Sequence, residues 1–191
     1  MKEFFIYLSL GFEHISDVQG FDHILFILTL CAVYRISEWK NVAILVSAFT
    51  IGHSVTLALS ALKIIVFDAA LIELLIPVTI LFTSIGNLFY KPSAKSVLFT
   101  YNYVLALTFG LVHGMGFSNF FNALMGEGVG ILFPLFAFNL GLELGQLTIV
   151  FTFFILYFLI GLVKKVNHQA WTQFFSGAGA GVSLVLIFER I

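Results

Sequence analysis

Residues 41–62 read NVAILVSAFTIGHSVTLALSAL, a run with no Asp, Glu, Lys or Arg and with one imidazole, His53, near its centre. A helix rises about 1.5 Å per residue and a bilayer core is about 30 Å thick, so about 20 apolar residues suffice to cross it. This stretch meets that length, and its single ionisable group is what needs explaining. Charge-free runs recur at 74–90, 96–126, 144–160 and 166–188. A further apolar segment, 21–34, opens on Asp22 and His23 and is closed by Arg35 and Lys40. The composition agrees: the 191 residues are 60% hydrophobic and 10% charged, with a mean hydropathy of +1.07. No soluble domain has that balance.

The expected fold is therefore all-α, a polytopic membrane helix bundle forming a single integral membrane domain over 1–191. Six transmembrane helices are expected at about 21–37, 41–62, 67–90, 96–121, 131–163 and 171–189. Residues 4–12, FFIYLSLGF, are apolar but too few to cross, and are expected as a short N-terminal interfacial or partly inserted segment. Lys2 ahead of that stretch resembles the start of a signal peptide, but no small-x-small cleavage site follows, so the segment is kept in the mature chain.

Nine Lys and Arg against ten Asp and Glu leave a net charge of -1. Nucleic acid is thereby excluded as a partner, for there is no basic surface to neutralise phosphates. The expected partners are the lipid bilayer and a metal ion, and a homo-oligomer is compatible with such a bundle. The lone cysteine, Cys31, among Leu and Ile neighbours, reads as helix filler. Basic residues favour one side: Arg35, Lys40, Lys91, Lys95, Lys164 and Lys165 against Lys2, Lys63 and Arg190. The positive-inside rule then puts both termini outside, with Glu3, Glu13, Asp17, Asp22, Asp68, Glu127 and Glu189 at the outer boundary. That mouth attracts cations.

Ionisable side chains inside a membrane are costly and mark a pathway or a site. His53, Glu73, His113 and Glu143 fall within the expected spans, and Asp22 and His23 begin the first. Counted from the outer helix ends, His53, His113 and Glu143 lie at roughly 14, 12 and 18 Å, close to one level. Asn139, Glu143 and Gln146 at i, i+4 and i+7 share one helix face, and Thr50, His53 and Ser54 form a one-turn polar patch. Glu73, Thr83 and Asn87 share another face, as do Asn102, Phe109 and His113. His168, beside Lys164, Lys165 and Asn167, reads as a solvated loop residue. Neutral imidazole and carboxylate are ligands for divalent transition metals such as Ni, Zn, Co and Cu(II), and affinity order does not choose among them. The candidate metal residues are Asp22, His23, His53, His113 and Glu143, supported by Asn139, Gln146, Ser54 and Thr50. No residue is assigned to catalysis.

Four segments, GFEHISDVQGFDHILF (11–26), AFTIGHSVTLAL (48–59), GLVHGMGF (110–117) and FNLGLELGQL (138–147), together resemble the HupE/UreJ family of small bacterial membrane proteins. The likeness is greatest to a branch with His-Ser-x-Thr-Leu and Asn-Leu-Gly-x-Glu-x-Gly-Gln patterns. The resemblance implies a nickel permease or related metal-uptake protein of the bacterial inner membrane, and assigns His14, Asp22 and His23 to the metal. The family's His and Asp-His pair are separated by five residues, where this chain has seven, and only His113-Gly114 remains of its two His-Gly pairs. The leading reading is thus a permease that binds a divalent cation in its outer half and passes it inward, without ATP since no GxxxxGK[ST] loop exists. Two others stand beside it. One is an intramembrane zinc-dependent hydrolase, with three histidines on zinc and Glu143 or Asp22 as general base, although HExxH is absent. The other is a metal-free accessory subunit.

Overall fold

The computed structural model describes residues 2–65, 68–89, 95–125 and 130–191. Seven α-helices follow one another: α1 Lys2–Ser16, α2 Asp22–Cys31, α3 Trp39–Ala61, α4 Ala69–Leu88, α5 Lys95–Met125, α6 Leu132–Val163 and α7 His168–Arg190, with a 3-10 turn Ile36–Glu38 before α3. No strand occurs among the described residues. Four elements there are long and apolar enough to cross a membrane: 36–61, 69–88, 132–163 and 168–190. Lys91 and Glu127, used above for orientation, lie outside the described residues.

The helices associate through glycine. A Cβ on Gly110 would collide with the carbonyl oxygen of Phe49, and one on Gly114 with that of His53, so α5 lies against the backbone of α3 with both chains running the same way. The same happens between α1 and α6, where Gly11 abuts the Phe138 carbonyl and Gly141 the Leu8 carbonyl. Lipid tails are as apolar as leucine, so helices in a bilayer gain little from hydrophobic burial and gain mainly from such close approach. Aromatic rings fill the space between the pairs: Phe26 stacks on Phe109 at 3.8 Å, with Phe49 5.5 Å from Phe109. Cys31 is fully buried, as its reading as filler requires.

The start of the chain differs from expectation. The segment expected to span from 21 to 37 is helical for only ten residues, and residues 2–16 form a longer helix laid along α6. Ala32, Val33 and Tyr34 stay buried although they have left the helix. Their freed carbonyls explain how: Thr172 Oγ1 donates to Ala32 O at 2.8 Å, and His168 Nε2 to Val33 O at 3.2 Å. Apolar periodicity continues to Tyr34 while the backbone does not, because α7 supplies the missing donors. His168 is accordingly no solvated loop residue but the half-buried first residue of α7. Asn87 of α4 ties in the other side, its Nδ2 donating to Thr29 O at 2.7 Å. On α4, Thr83 and Asn87 are buried, whereas Glu73 at the far end is exposed.

Placing a β-branched side chain at Gly11 forces two backbones apart. Gly11→Val should lower stability by about 1–3 kcal/mol, the usual cost of overpacking, seen as an earlier thermal transition in detergent. Gly161→Ala, where nothing lies within 4 Å of the added methyl, should leave the transition unchanged or raise it slightly.

Candidate metal centre

The glycine contacts set the level of the histidines. His113 immediately precedes Gly114, whose α-carbon rests on His53, so α3 and α5 hold these two imidazoles at one height. The α1–α6 contact brings His14 within 5.8 Å of the Phe138 ring. The first turn of α2 adds His23. Ring centroids then lie 3.7 Å apart for His23 and His113, 4.6 Å for His14 and His23, 5.9 Å for His14 and His53, and 6.2 Å for His14 and His113.

Among the described residues, His14, His23 and His113 bring one ligand nitrogen each to within 4.8 Å of one another. Two imidazoles bonded to one ion at about 2.1 Å are roughly 3–4 Å apart, so small side-chain rotations close the set. His23 and His113 are 4% exposed and His53 is 0% exposed. In spite of this burial, His14 Nε2, His23 Nε2, His113 Nδ1 and both nitrogens of His53 have no hydrogen-bond partner. Asn139 Oδ1, on the helix facing α3, has none either. Buried polar atoms are almost always paired, so this many unpaired ring nitrogens in one place form a set of donor atoms that could hold a metal ion.

His23 shows which nitrogen is offered. Its Nδ1 is 3.1 Å from Asp22 Oδ1 and 3.3 Å from Gly20 O, both acceptors only, so Nδ1 holds the proton and Nε2 presents its lone pair. Asp22 Oδ1 also accepts from the backbone N–H of His23 at 2.9 Å. The carboxylate thus faces the far side of the imidazole, an arrangement that fixes ring and tautomer at metal sites.

The stripe on α6, whose spacing put its members on one face, turns toward α3, and two of its members bond across to that helix. Thr50 Oγ1 donates to Gln146 Oε1 at 3.0 Å, and Ser47 Oγ to Glu143 Oε1 at 2.7 Å. Glu143 therefore sits past the imidazoles, against a residue six before His53 on α3. Ser54 turns its hydroxyl to the Thr50 carbonyl at 2.7 Å and Asn139 gives Nδ2 to Leu135 O at 2.8 Å. Ser47 was missed in the sequence, although Ser47, Thr50 and Ser54 at i, i+3 and i+7 carry the signal of one face. Asn102, expected on the His113 side of α5, is buried and donates to the Tyr34 hydroxyl at 3.2 Å.

An open cavity of about 610 Å³ adjoins the cluster, lined by Glu13, His14, Ser16, Asp17, Gln19 and Phe117 among others. The Phe117 ring, which shares the cavity wall with His14, lies 4.0 Å from His14 and 4.9 Å from Phe138. Neither Phe117 nor Phe138 was singled out in the sequence, where 24 phenylalanines are spread over every span.

No curated protein and no solved structure matches the chain. A family model described as HupE / UreJ protein matches residues 1–190. With that match running over essentially its whole length, the chain belongs to the HupE/UreJ family.

Proposed function

We propose that this protein is a permease of the bacterial inner membrane that takes up a divalent transition-metal ion, nickel by preference, through a six-span bundle with both termini outside. The observation that carries the reading is the trio His14, His23 and His113, three imidazoles from three helices with ligand nitrogens within 4.8 Å and no protein partner for the atoms they present. Membership of a family associated with metal uptake agrees with it.

Three neutral imidazoles suit nickel, cobalt or zinc and leave coordination positions for water, which favours release over permanent retention. The cavity beside His14 offers the ion a way in, with Glu13 and Asp17 supplying negative charge where a hydrated cation arrives. Asp22 acts through His23 and keeps Nε2 available. A hydrolase would need a carboxylate free to take a proton from metal-bound water. Asp22 is instead on the opposite face of His23 and Glu143 accepts from Ser47, so transport is the better account.

Removing a ligand and removing its orienting partner should separate by size. His23→Ala and His113→Ala should each weaken Ni²⁺ binding to the purified protein by more than about 100-fold and abolish Ni²⁺ uptake into proteoliposomes, since an outer partner alone is worth about 10–100-fold. Uptake at the wild-type rate in both variants would sink the proposal.

Asp22→Asn should fall in that intermediate range, about 10–100-fold weaker in Ni²⁺ titration calorimetry, with binding still measurable. An effect as large as that of His23→Ala would make Asp22 a ligand in its own right.

A further inference from the structure

Among the described residues, His53 is a buried side chain that the trio does not account for. It is 0% exposed, and neither ring nitrogen has a partner. A neutral imidazole always carries one N–H and one lone pair, and burying either without a well-formed hydrogen bond is costly. Its ring lies outside the trio. Aromatic filling is the plain explanation, because Phe138 and Phe49 lie nearly parallel to it at 5.9 and 6.0 Å. Phenylalanine would fill that slot without any stranded nitrogen, however, and Asn139 stands beside His53 as a polar neighbour whose buried Oδ1 is within interaction range of the ring but makes no hydrogen bond of normal geometry.

We infer that His53 and Asn139 form a second station for the transported ion, separate from the His14–His23–His113 trio and next in line toward Glu143. The inference rests on the uptake reading above. An imidazole nitrogen and an amide oxygen on facing helices are a fitting ligand pair for the same borderline cation. His14 borders both stations, its ring 4.6 Å from His23 and 5.9 Å from His53, and so is placed to pass an ion across. Beyond Asn139 the rungs Thr50–Gln146 and Ser47–Glu143 continue the polar seam between α3 and α6 toward Trp39, where α3 begins. Conduction needs sites that bind well enough to accept an ion and weakly enough to give it up, which two successive partial sites provide.

The two roles of His53 are separated by His53→Phe, which keeps an aromatic ring between Phe49 and Phe138 and removes both nitrogens. In full-length protein, Ni²⁺ affinity should stay within about threefold of wild type while Ni²⁺ uptake into proteoliposomes falls by at least about tenfold. Asn139→Leu, which removes Oδ1 by a different route, should show the same split. Wild-type uptake in His53→Phe would return the residue to packing. A loss of affinity matching that of His23→Ala would make it a fourth ligand of the first site, and either result overturns the second station. Failure of the uptake reading looks different: wild type would bind no Ni²⁺, or His23→Ala would change nothing, and the second station would go with it.

Discussion

Everything in this bundle depends on two helix pairs touching backbone to backbone. Gly110 and Gly114 bring α5 onto α3, and Gly11 and Gly141 bring α1 onto α6. In lipid, where apolar side chains gain nothing by leaving one hydrocarbon surface for another, close approach is the main source of association. It is also what positions chemistry. Gly114 follows His113 and rests on His53, so the contact that joins α3 and α5 fixes the relative height of two imidazoles. A larger residue there would separate the helices and the ligands together.

Much of this was legible in advance. Charge-free runs found α3, α4, α6 and α7, and the i, i+4, i+7 pattern found the face that α6 turns to α3. The beginning of the chain was not legible, because hydropathy reports whether a segment is apolar and not who satisfies its backbone. Ala32 and Val33 are as apolar as any helical residue, yet they lie outside a helix because Thr172 and His168, some 140 and 135 positions away, take their carbonyls. His168 was misread for the same reason: charged neighbours in sequence suggested water, and the Val33 carbonyl just past α2 meets it instead.

The site shows a similar division. Spacing placed Asn139, Glu143 and Gln146 on one face, and depth counting put His53, His113 and Glu143 close to one level, whereas Glu143 meets Ser47, six residues before His53. Neither method distinguishes the imidazoles that meet from the one that stands aside. That depends on α1, a helix too short to cross, lying along α6 and inserting His14 among the others. The resemblance to a family had assigned Asp22 and His23 to one metal, and the structure sets the Asp22 carboxylate beside His23 Nδ1. Stranding several nitrogens in a low-dielectric interior costs stability. A bundle that tolerates such a cost has placed its weakest packing where an ion would repair it.

The glycine contacts also divide the ligands between bodies. His53 and His113 ride with the α3–α5 pair, whereas His14 and Asn139 ride with α1 and α6, and within each pair the spacing is held rigidly by main-chain contact. Any rocking of one pair against the other leaves those internal distances alone and changes only the gap across which the cation is gripped. On the uptake reading, the coordination sphere would act as the hinge gauge of the molecule: squeezing the pairs together would complete it, and parting them would dismantle it without a single helix having to bend.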